Sequence, residues 1–129
     1  MTRSLLLDTC ALLWLGDAPE CFSAQAISEI ESAPILYASP ISLWEVALKC
    51  QTGKLQLEVT PEVWFDTLKS EYGIVLLPLN EEVMLKSATL PFHHRDPADR
   101  FIIASAMLRN LPVVTGDHRF SEYGIVALE

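Results

Sequence analysis

Four carboxylates stand at positions from which they could share one site. Asp8 directly follows the apolar run "SLLL", and Glu45 lies about one turn into the helical segment after a second apolar run. Asp99 lies in the first turn of the helical segment before a fourth apolar run, and Asp117 follows "PVVTG". If the apolar runs are parallel strands, all four acids fall at one edge of the sheet. Acids gathered in one pocket repel each other and resist ionisation unless a cation compensates. Carboxylate oxygens without cysteine and with few histidines select Mg2+ or Mn2+, which keep several waters and bridge to phosphate. One such ion, or a pair about 4 Å apart, activates water for in-line attack on a phosphodiester and stabilises the leaving oxygen. The same charge lets an acidic protein approach a polyanion.

Taken singly, each acid has an ordinary structural use. Asp8 could cap the helical turn "CALLWL". Glu45 stands three residues after Ser42 and Asp99 three after Asp96, the spacing of a capping box. Asp117 in "TGDHRF" could bond its own backbone in a turn.

The elements that would position these residues follow from alternation along the chain. Short apolar runs without helical period, "SLLLD", "ILYAS", "IVLLPL", "PVVTGD" and "GIVALE", predict five strands. Between them lie segments with helix starts: Ser23, Ser39 with Pro40, Thr60 with Pro61, Asn80, and Asp96 with Pro97. Gly53 and Gly73 mark two helix ends. Strands that do not alternate in polarity, separated by helices, predict an α/β fold with a mainly parallel sheet covered on both faces. Such sheets bind ligands beyond the carboxyl ends of their strands, where strand order reverses.

With 129 residues, half of them apolar and a fifth charged, the chain is expected to form one domain over residues 1–129. Seventeen acids against nine Lys and Arg give a net charge of −8, which argues against nucleic-acid binding by bulk charge. Cys10, Cys21 and Cys50 are odd in number, and no C-x-x-C pair is present, so neither a disulfide framework nor a zinc cluster is expected. A reduced, cytoplasmic setting fits. The longest apolar run, Cys10 to Leu15, is six residues, far short of the roughly 20 that span a membrane.

In order along nearly the whole chain, "LLLDTCALLW", "SLWEVALK", "HHRDPADRFIIASA" and "VVTGDHRF" resemble the PIN-domain family, and within it the VapC-type toxins of bacterial toxin–antitoxin pairs. The resemblance implies an α/β/α sandwich around a five-stranded sheet and a ribonuclease dependent on Mg2+ or Mn2+. It also implies a homodimer and an inhibitory protein antitoxin. On this pattern Asp8 is the central metal ligand, Glu45 and Asp99 complete the metal shell directly or through water, and Asp117 supports the site or a second metal. Asp96 is assigned to the helix cap, with metal contact as the lesser alternative. Ala98 stands where the family often has a bulkier apolar residue.

Several neighbours have two readings. Arg95 and Arg100 could position phosphates, and His93 and His94 could stack on bases, although a solvated loop is the plainer reading of the histidines. Thr9 and Thr115 could orient carboxylates through their hydroxyls. Trp14, Trp44, Trp64 and Phe65 fall on helical segments, as core or interface anchors. An acidic surface suits an antitoxin segment that inserts a basic side chain among the carboxylates. The rival functions are an aspartate-dependent phosphatase and a non-catalytic metal- or RNA-binding module. A phosphatase with a strand-end aspartate commonly carries a second Asp two residues on, where this chain has Cys10.

Overall fold

The computed structural model describes residues 2–129. The chain runs β1 (Leu5–Leu7), α1 (Thr9–Asp17), a 3-10 turn (Pro19–Cys21), α2 (Ala24–Ser32), β2 (Leu36–Ala38) and α3 (Pro40–Gln51). It continues through α4 (Pro61–Tyr72), β3 (Val75–Leu76), α5 (Glu81–Thr89), α6 (Pro97–Arg109) and β4 (Val113–Val114) to a second 3-10 segment (His118–Tyr123) and β5 (Ala127–Leu128). The five strands form one sheet in the order β3-β2-β1-β4-β5, and every pairing is parallel. The strands are shorter than the apolar runs that announced them, because several residues of each run leave the ladder for the loops beyond it.

Each strand presents opposite faces to two helical layers, as the period of two requires. Leu5 and Leu7 of β1 and Val114 of β4 point into a core built with α1, α2, α3 and α4, whose largest fully buried side chain is Phe65. Leu6 and Val113 point the other way, toward Ile102, Ile103 and Ala106 of α6, Val83 of α5, and Phe120. This is why the runs read as continuously apolar: both faces of the sheet are covered.

The expected caps are in place. Side chains of Ser23, Ser39, Thr60, Asn80 and Asp96 each accept a backbone N–H in the first turn of α2, α3, α4, α5 and α6. Gly73 ends α4 at φ 64°, and Asn110, also left-handed at φ 53°, ends α6. Ser39 as the cap of α3 overturns the capping-box reading of Glu45, which would need the helix to start at Ser42. Ser42 is instead buried, and its hydroxyl accepts from Thr9 Oγ1 at 2.9 Å.

Chain order produces a switch point beside β1. After β1 the chain builds β2 and β3 on one side, then crosses to lay β4 and β5 on the other. The carboxyl ends of β1 and β4, adjacent in the sheet, lead into Asp8 and into Thr115 to Asp117. Asp8 N donates to Val114 O at 3.1 Å, which ties the two strand ends together.

Arg100 proves structural, and the expectation that it contacts phosphate is corrected. Its side chain is buried, and its two terminal nitrogens donate to four carbonyls, those of Ser87, Leu90, Pro91 and His94, at 2.8 to 3.0 Å. It thereby satisfies the end of α5 and pins the loop that enters α6, with Phe92 stacked over the guanidinium. Arg100→Lys should lower stability by about 2–3 kcal/mol, since one ammonium cannot serve four carbonyls fixed around a planar fork. A thermal melt checks this, with an expected drop on the order of 10 °C.

Candidate active site

Asp8, Glu45, Asp99 and Asp117 come from four separate elements and line one cleft of about 580 Å³ at the carboxyl edge of the sheet. Thr9, Cys10, Trp14, Lys49, Asp96, Gly116 and Arg119 are also in its walls. Parallel strands bring the acids together, as the sequence required.

Asp8 serves two roles at once. Its Oδ1 accepts from Ala11 N at 2.8 Å and caps α1, and its side chain is also bonded by the Thr115 hydroxyl. Burial, with smaller contributions from Glu45 and Asp117, pushes its carboxyl up to about 6 despite those two hydrogen bonds. Asp99 is pushed up to about 8, again chiefly by burial and then by Asp96, Glu45, Asp8 and Asp117. The capping-box reading of Asp99 fails. The Asp96 N–H that Asp99 would have to accept is bonded instead to His94 Nδ1 at 3.2 Å.

Glu45 sits on α3 and is buried. Its Oε2 faces Lys49 Nζ one turn along at 3.5 Å, whereas its Oε1 is buried with no hydrogen-bond partner among the described residues. A buried carboxylate oxygen without a partner costs free energy that a bound cation would recover. That orphaned oxygen, the raised carboxyls of the buried Asp8 and Asp99, and an oxygen-dominated donor set fit a hard divalent ion.

Asp117 differs from the others. Arg119 grips it through Nε at 2.9 Å and Nη2 at 2.7 Å, and the Arg119 N–H also donates to it. These bonds hold its carboxyl down to about 2. Asp117 therefore keeps its expected turn role, capping the segment that begins at His118, while facing the cleft.

The remaining residues divide clearly. The Thr115 hydroxyl bonds the Asp8 side chain and accepts from the backbone N–H of Asp117 at 3.0 Å, so it links the two strand ends that carry these acids. Thr9 lines the cleft and bonds Ser42. Asp96 is exposed at the rim as the cap of α6, whereas Arg95 is exposed and absent from the cleft lining. His93 is exposed and packs edge-on against Tyr123. His94 departs from the solvated-loop reading: it is buried, and its Nε2 stands 2.9 Å from both Asp99 Oδ2 and Asp117 Oδ2.

Lys49 and Arg119 were not singled out from the sequence. The spacing of Lys49 four residues after Glu45 was the available signal for the first, since that pair shares a helix face. No local signal distinguished His94 from His93. The Cys10 thiol is pushed up to about 11 by burial and by Asp8, which leaves it protonated and removes thiolate chemistry. Trp14 forms a wall of the cleft, edge-on to Phe22 at 5.3 Å. It passes so close to Gly116 that a Cβ there would stand 2.8 Å from the ring.

A family model for the PIN domain matches residues 5–126. The chain belongs to the PIN domain family. Ribonuclease VapC22 of Mycobacterium tuberculosis is 29% identical over 121 residues, which span 93% of this chain and 92% of that relative. Among solved structures, the PIN fold aligns with VapBC2 from Rickettsia felis bound to a DNA fragment from their promoter. The TM-score there is 0.71 at 14% identity, over 98% of this chain and 97% of that one. DNA-bound VapBC from Salmonella typhimurium aligns with a TM-score of 0.67 at 16% identity, over 100% of this chain and 98% of that one. At such identities these two structures show the shared fold. They agree with the all-parallel five-stranded sheet between helical layers.

Proposed function

We propose that this PIN protein is an endoribonuclease that hydrolyses RNA phosphodiester bonds with Mg2+ or Mn2+ and acts as the toxin of a toxin–antitoxin pair. The observation that carries the reading is that four acids from four elements line one cleft, with one Glu45 oxygen buried without a hydrogen-bond partner among the described residues. The likeness to a VapC ribonuclease supports it.

Asp8, Glu45 and Asp99 would hold the ion, with Asp117 beside them. When bound, the ion supplies Lewis acidity at the phosphodiester and lowers the pKa of water near it. The protein does the rest. The Ala11 N–H and Thr115 hydroxyl fix the direction of the Asp8 carboxylate, so that it need not reorganise as charge develops. Lys49 and Arg119 place positive charge on the rim of an otherwise acidic cleft, where a phosphate must enter. Trp14 forms one wall of the cleft.

The phosphatase alternative lacks its second acid, since Cys10 is in that place and stays protonated. A non-catalytic module has no use for acids that oppose one another's ionisation. For partners, the reading takes an antitoxin whose basic segment enters the acidic cleft, favoured by the net charge of −8. It also takes a homodimer, for which the exposed Trp44 and Leu48 of α3, Leu85 and Phe92 offer apolar surface. No helix is long and apolar enough to cross a membrane among the described residues, and the cytoplasm is the proposed setting.

The purified protein should cut single-stranded RNA internally with Mg2+ or Mn2+ and stop on chelation with EDTA. Hydrolysis of a small phosphomonoester without RNA cleavage would reassign it to the phosphatases.

A further inference from the structure

His94 is 2% exposed and stands between two of the acids, with Nε2 2.9 Å from each. The three facing atoms are close enough together to enclose a metal ion. Two roles therefore compete for this imidazole, metal ligand or hydrogen-bond donor. The opposite ring nitrogen decides between them. Nδ1 accepts the Asp96 N–H at 3.2 Å, so in the neutral ring the proton belongs on Nε2. A nitrogen that carries a proton has no lone pair for a metal.

The ring has little freedom to choose otherwise. The His94 N–H donates to the Tyr123 hydroxyl at 2.8 Å, its carbonyl accepts from Arg100 Nη1 at 3.0 Å, and its ring meets Phe120 edge-on at 5.8 Å. The Asp96 N–H that sets the tautomer belongs to the residue that caps α6, and Asp99 is in the first turn of that helix. The cap, the tautomer and the placement of Asp99 are thus one arrangement within "HHRDPAD".

We infer that His94 is a positioning residue, whose Nε2–H holds Asp99 Oδ2 and Asp117 Oδ2 at a fixed separation and leaves Asp99 Oδ1 to the metal, Asp117 Oδ1 being taken by Arg119. This rests on the nuclease reading of the same cleft. Two repelling carboxylates share one buried donor; without it, Asp117 keeps its bonds from Arg119, whereas Asp99 loses the donor that faces its Oδ2. Partners of this kind that orient metal-binding carboxylates typically change metal affinity by about 10–100-fold when removed.

Two substitutions separate donor from scaffold. His94→Gln keeps an N–H near the Nε2 position, whereas His94→Asn keeps only the group that faces Asp96. By calorimetric titration with Mn2+, His94→Gln should bind within about threefold of wild type and His94→Asn about 10–100-fold more weakly. Thermal melts of both confirm folding. The imidazole 15N spectrum of the metal-free wild type should show Nε2 protonated and Nδ1 bare. Electron spin-echo modulation of the Mn2+-loaded protein should show no directly bound nitrogen. A bound nitrogen, the reverse tautomer, equal weakening in both variants, or unweakened Mn2+ binding by His94→Asn would each overturn the role of His94. Failure of the wild type to bind Mn2+ at all would overturn the metal reading of the cleft, and this inference with it.

Discussion

Asp8→Asn should cleave RNA on the order of 10³-fold more slowly than wild type, a loss of roughly 4 kcal/mol of transition-state stabilisation, while the metal-free protein becomes more stable. The opposite signs follow from the two roles of Asp8. As the N-cap of α1 it accepts from Ala11 N, and asparagine caps as well as aspartate. As a buried acid it is pushed up to about 6, so its ionisation opposes folding near neutral pH. A shift of this size corresponds to at most about 3 kcal/mol, and the amide removes that opposition. The melting temperature at pH 8 without metal should rise on the order of 5 °C. A multiple-turnover RNA cleavage assay and a thermal melt on the same preparations check both halves. Equal cleavage by the two proteins would remove Asp8 from the mechanism, and a large drop in melting temperature would mean that capping by the ionised form outweighs the cost of its burial.

Metal-free protein should lose stability as pH climbs from about 5 to 8, and Mg2+ or Mn2+ should restore it most at the alkaline end. In the unfolded chain both carboxyls titrate near 3.8, whereas in the fold Asp8 titrates at about 6 and Asp99 at about 8. Between those values the folded state binds more protons than the unfolded one, so stability falls with rising pH. The contribution of Asp8 is lost by about pH 6 and that of Asp99 by about pH 8. Asp117 runs the other way: held down to about 2 by Arg119, it adds stability above about 3.8 that is lost as pH falls toward 2. On these three groups the metal-free optimum should therefore lie just below pH 4. A cation that binds only the folded, ionised cluster reverses the alkaline slope by mass action. Melting temperatures at pH 5, 6, 7 and 8, with EDTA and with millimolar Mn2+, test this. A flat profile with EDTA would show that the acids are less buried than the geometry gives.

The two expectations bear on how the cleft is built. Its acids are not held in place by favourable charge among themselves. They are held by covalent attachment to strand ends and helices that pack for other reasons, and the instability they bring is what a cation relieves. Gly116 shows the same logic in the wall: the backbone there passes under Trp14 with no space for a side chain. Arg100 shows it in the support, where a charged residue next to Asp99 serves backbone carbonyls and not substrate.

How much of this was legible beforehand depended on range. Every helix start named from the sequence carries its cap, because capping is satisfied within three residues by side chain and backbone alone. The five strands were legible as apolar runs, since a sheet covered on both faces needs them. Their parallel pairing followed from the helices between them. The placement of Asp8, Glu45, Asp99 and Asp117 at one edge then followed from topology, not from any one motif. The capping boxes offered as the ordinary use of Glu45 and Asp99 do not form, because such spacing is satisfied by many sequences whose N–H groups find other partners.

Local sequence thus determined where helices begin, which runs enter the sheet, and which acids lie at its carboxyl edge. Tertiary structure alone decided which of two adjacent histidines is buried between Asp99 and Asp117, and that Arg100 turns inward to four carbonyls. It also decided that one Glu45 oxygen is buried without a hydrogen-bond partner among the described residues. Caps and apolar runs are settled by neighbours in the chain. The direction of the His94 side chain is settled by Asp117 and Tyr123, 23 and 29 residues away, which only the packed fold brings within hydrogen-bonding distance.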